Sequence, residues 1–137
     1  MNVIFGILNI IILISILGSP YFVSKKVEKV LSKNRIFTSI VISIFIVVFL
    51  SFVFAWWTDY SNILLMKYYG YDFGIMGNEI DRLKNVDPKN IETVKQLKIS
   101  IMGIGWPLKA IFGLVLLIPF SILTPTVYFL VKRKRSS

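Results

Sequence analysis

IFTSIVISIFIVVFLSFVFAWW, residues 36–57, contains no Asp, Glu, Lys or Arg. Crossing the hydrocarbon layer of a bilayer takes roughly 20 apolar residues in a helix. A helix on a soluble core keeps a polar face toward water, and this one has none. Working outward, two more windows read the same way: Val3–Val23 (VIFGILNIIILISILGSPYFV) and Ala110–Val131 (AIFGLVLLIPFSILTPTVYFLV). The 137-residue chain is 55% hydrophobic but only 17% charged, and the charges are bunched between the windows. The expected fold class is an all-α integral membrane protein. It has three transmembrane helices and an extracytoplasmic loop that contains an amphipathic helix.

The bunching sets the expected threading. Lys25, Lys26, Lys29, Lys33 and Arg35 follow the first window, against Glu28 alone, while Lys132, Arg133, Lys134 and Arg135 follow the third. Short loops rich in Lys and Arg stay on the cytoplasmic side. The chain then divides into helix 1 (1–23), a basic cytoplasmic loop (24–35), helix 2 (36–57), an extracytoplasmic loop (58–105), helix 3 (106–131) and a basic tail (132–137). The N-terminus is expected outside and the C-terminus inside, in a bacterial cytoplasmic membrane. The first window is read as a retained helix rather than a signal peptide, because Met1-Asn2 carries no charge and the lysines come after the apolar run. Threading explains the net charge of +9, so nucleic acid is not an expected partner. Cys and His are both absent, which removes disulfides and the two commonest zinc ligands.

Trp and Tyr favour the headgroup layer. Trp56, Trp57 and Trp106 all fall at the expected outer boundary and are read as interface anchors. Ser39, Ser43, Ser51 and Ala55, spaced by multiples of four, form a ridge of small residues on helix 2. Such a ridge packs against neighbouring helices or against another subunit. Asn9 is expected to bond between helices. Pro119 and Pro125 remove backbone donors from helix 3 and are expected to kink it, with nearby hydroxyls of Ser121, Thr124 and Thr126 available to the freed carbonyls.

The loop shows two helix signals. In TDYSNILLMKYYG (58–70), Asp59 or Ser61 is an N-cap candidate and Gly70 a stop. In DPKNIETVKQLKISIMG (87–103), Asp87 caps, Pro88 suits the first turn, and Ile91, Val94, Leu97 and Ile101 share one face. That stripe is expected to lie on the leaflet or on a partner. Asp72, Glu79, Asp81 and Asp87 lack the alternation and central glycine of a calcium loop and read as a solvated surface.

No nucleophile, phosphate-loop or metal motif appears, so neither enzyme activity nor a cofactor is expected. The expected role is an accessory or assembly subunit that contacts the bilayer and another membrane protein, or a second copy of itself, through the outer loop and the helix 2 ridge. The short, Ile-rich, lysine-flanked composition is similar to that of small polytopic proteins that protect bacteria from pore-forming toxins, which makes immunity or exclusion one alternative. A homo-oligomeric channel or transporter subunit is another. Lys109, one turn inside helix 3, is expected to carry its ammonium back to the headgroups. Pairing with a partner's acid is the competing reading.

Overall fold

A computed structural model describes residues 2–30 and 34–135. Lys33 and Ser136, which belong to the two basic flanks, lie outside the described residues. Three helices are long and apolar enough to cross a membrane, and the chain is a multi-pass membrane protein. They are α1 (Asn2–Val30), α2 (Arg35–Tyr68) and α5 (Trp106–Arg135). Between α2 and α5 come α3 (Glu79–Leu83), a 3-10 turn (Pro88–Asn90) and α4 (Ile91–Met102). No strand occurs among the described residues.

α2 is the central helix, packed along both α1 and α5, which touch each other more sparsely. Its ridge explains why. Ser39, Ser43, Ser51 and Ala55 are all buried, and Val47 completes the four-residue spacing with no exposure. Rows at this spacing form a ridge that fits the groove of a neighbouring helix. Val47, Ile16 of α1 and Leu114 of α5 make the apolar centre of the bundle. The ridge is therefore occupied within the chain.

α2 does not stop at Trp57, where the charge-free window ends. No Gly or Pro interrupts residues 35–68, and the expected capping side chains turn back on the helix. Thr58 Oγ1 donates to the Phe54 carbonyl at 2.9 Å, and Ser61 Oγ to the Thr58 carbonyl at 2.9 Å. Back-bonding of this kind is the alternative to capping open to a hydroxyl. A second helix starting near Asp59 is thus replaced by about 16 Å of continuous helix over Thr58–Tyr68, at 1.5 Å per residue.

Gly70 ends α2. The Tyr71 N–H bonds the Met66 carbonyl at 2.9 Å and the Gly70 N–H the Lys67 carbonyl at 3.0 Å, the paired bonds of a Schellman motif. Gly70 has φ +90°, and a Cβ there would stand 2.4 Å from the Asn85 carbonyl oxygen. Met66 and Tyr71, the two residues this motif brings together, are both buried and join Val86 and Val94 in a second apolar cluster. Ile91, Leu97 and Ile101 pack against it. The α4 stripe therefore rests on the extension of α2, inside the chain, and the segment 69–105 forms a consolidated cap on the bundle.

The hydroxyls beside the prolines of α5 bond other carbonyls than expected. α5 runs unbroken through Pro119 and Pro125. Ser121 and Thr126 hydroxyls donate to Leu117 and Ile122 carbonyls, each at 2.7 Å. A proline strands the carbonyl four residues before it, so the carbonyls stranded here are those of Val115 and Ser121, and these hydroxyls do not reach them. In α1, Pro20 strands the Ile16 carbonyl, and Ser19 Oγ donates to that oxygen at 2.9 Å.

Candidate functional site

Asp59 and Lys109, expected to act separately, meet Asn62 and Ser100 where the cap joins the bundle. Asp59 stands four residues beyond Ala55 and so continues the buried ridge of α2. Its side chain is 9% exposed. Lys109, on the first turn of α5, places Nζ 2.5 Å from Asp59 Oδ1 and donates to the Ser100 carbonyl of α4 at 2.6 Å. Asn62, one turn beyond Asp59, donates through Nδ2 to Ser100 Oγ at 3.0 Å. The cluster ties α2, α4 and α5 together at one point.

Lys109 is paired, and its counter-charge comes from its own chain rather than from a partner's acid. Pro107 and the turn before it set the side chain up. The Leu108 and Lys109 N–H groups bond the Gly105 carbonyl at 3.0 and 3.2 Å, which starts α5 directly beneath the end of α4. Two of the three ammonium donors of Lys109 are used, and a carboxylate in an apolar setting is neutralised. Chemically this is a structural tie.

A second tie closes the opposite end of the bundle. Glu28 of α1 ion-pairs with Lys132 of α5 and accepts a hydrogen bond from the Tyr128 hydroxyl at 2.8 Å. Tyr21 meets Tyr128 edge-on at 5.6 Å. Glu28 is therefore a strut between α1 and α5 rather than a stray acid among lysines.

Three further acids of the cap have structural partners. Asp72 Oδ1 accepts from the Gly74 N–H at 2.8 Å. Asp87 caps the 3-10 turn by accepting from the Lys89 N–H at 3.0 Å. That backbone bond, with the Lys89 side chain, holds its carboxyl below the ordinary value. Glu79 pairs with Lys98 at 2.8 Å, and the hydrogen bond from Lys98 likewise lowers its pKa.

The three tryptophans differ. Trp56 is half exposed and stacks on Tyr60 at 5.4 Å. Trp106 is partly exposed and meets Phe52 edge-on at 6.2 Å. Trp57 instead turns toward α1, edge-on to Phe5 at 5.9 Å, and its buried indole N–H has no partner among the described residues. Asn9 Oδ1 and the hydroxyls of Ser39 and Ser43 are also buried without partners there, so Asn9 does not bond between helices through that oxygen.

Compared with known protein families, curated proteins and solved structures, the chain matches none. Fold and site define a class: an α-helical multi-pass membrane protein whose two ends are each closed by an internal ion pair.

Proposed function

We propose that the protein is a non-catalytic accessory or assembly subunit of a membrane complex, in the bacterial cytoplasmic membrane with the cap outside and both basic flanks inside. One observation carries the reading. The cap is internally consolidated, yet its segment 71–80 holds Phe73 at 43% exposure, Met76 at 104% and Ile80 at 81%. Large apolar side chains exposed within one ten-residue segment outside the apolar windows are read as a contact surface. Methionine in particular adapts to irregular partner surfaces.

The docking surface is accordingly placed on 71–80. The two surfaces first expected to dock are already in use: α1 and α5 fill the α2 ridge, and the α2 extension covers the α4 stripe. That use also weighs against a homo-oligomeric channel built through the ridge.

The test is co-purification after mild solubilisation, comparing the natural chain with Met76→Asp and Ile80→Asp. A defined membrane complex should accompany the natural chain and be lost from both variants at unchanged abundance. A deletion strain that is sensitive to a pore-forming toxin and otherwise normal would replace this reading with immunity.

A further inference from the structure

At the end of the bundle away from the cap, a cavity of about 910 Å³ opens between the start of α2 and the end of α5. Its rim carries Arg35, Lys132 and Arg133, with Glu28 as the one acid among the described lining residues. Its wall is apolar, formed by Phe37 and Ile40 of α2 and Phe129 of α5. Cations at the mouth and hydrocarbon below are the two halves of an amphiphile's requirement.

The backbone adds to the charge. Asn34 stands in the left-handed region at φ 52° and makes no side-chain cap bond to α2. The first-turn N–H groups of a helix have no intrahelical acceptors and lie at its positive end. Residues 34–37 all line the cavity, so this helix start faces the same space as the three cations. Glu28 offsets one of the three through its ion pair with Lys132, so three cations against one acid leave the described lining of the cavity net positive.

We infer that this cavity binds the phosphate headgroup of an anionic phospholipid, with an acyl chain lying along Phe37, Ile40 and Phe129. Basic pockets between membrane helices recognise such headgroups. The apolar wall favours a lipid over a free phosphate, since inorganic phosphate makes no use of it. The inference depends on neither the partner nor the side of the membrane.

Native mass spectrometry of the full chain in detergent tests it, using phosphatidylglycerol and phosphatidylcholine of equal chain length as probes. Phosphatidylglycerol should stay bound where phosphatidylcholine is stripped. Arg35→Gln and Arg133→Gln should each weaken retention about fivefold, the worth of one cation near a membrane surface. Lys134→Gln, which removes a neighbouring charge outside the lining, should leave it unchanged. Ile40→Trp keeps every charge but fills the wall, and should also lose the lipid. Equal retention of the two lipids would overturn the inference. So would equal losses from Lys134→Gln and Arg133→Gln, or undiminished binding by Ile40→Trp. Displacement of the lipid by inorganic phosphate alone would show a headgroup-only anion site and overturn the lipid assignment.

Discussion

Lys109 and Asp59 are each unremarkable in isolation, and their value lies in being removed together. Losing one partner of this half-buried pair leaves the other without its hydrogen-bonded counter-charge, at a cost of about 1–3 kcal/mol. Lys109→Gln and Asp59→Asn should each lower the melting temperature of the purified protein markedly. The double variant should recover much of the loss, and Lys109→Arg should stay near the natural protein. Additive losses in the double variant would show that the two groups do not act as a pair. Gly70 is the other decisive residue. At φ +90° with the Asn85 carbonyl oxygen against its Cα, Gly70→Ala combines backbone strain with a direct clash. It should cost more than about 1 kcal/mol, read as faster proteolysis of the cap.

α4 holds the cap through one face. Val94 has no exposure, so Val94→Asp buries a charge and should destabilise by about 3 kcal/mol or more. Lys89→Asp, on the exposed side, should change protein abundance and protease resistance little; equal sensitivity at both positions would contradict the packing of α4 on α2. Acid should loosen the same element. The lowered pKa of Glu79 contributes stability that is complete above its ordinary value of 4.5 and fades as pH falls below it. Protection of the α4 amides, taken relative to the intrinsic exchange rate at each pH, should therefore fall below about pH 4.5, and less so in Glu79→Gln. The three long helices were legible because a charge-free window is a local property of the chain. So were the Asp87 cap and the α4 stripe, which need only neighbours within two turns. The continuation of α2 was not, because Thr58, Asp59 and Ser61 read equally well as caps, and only tertiary partners decide where such side chains turn. The Asp59–Lys109 tie spans fifty positions. Its one sequence signal was the place of Asp59 on the four-residue ridge of Ser39, Ser43, Ser51 and Ala55.

Across the whole molecule, the two ends differ in charge as well as in build. Nine of the sixteen basic residues lie in the two flanks at one end, and the segment 58–105 is balanced. Since the chain has no cysteine, a single Asn90→Cys substitution should react with an impermeant thiol reagent in intact cells. Ser136→Cys should not, and the reverse pattern would invert the proposed threading. One further property follows from the length of α2. At 34 residues it measures about 50 Å at 1.5 Å per residue, with no glycine or proline joint along it. A rod of that kind cannot bend at the bilayer surface to let the cap swing. A tilt or twist imposed on the cap is delivered to Arg35 at the far end as a rigid rotation.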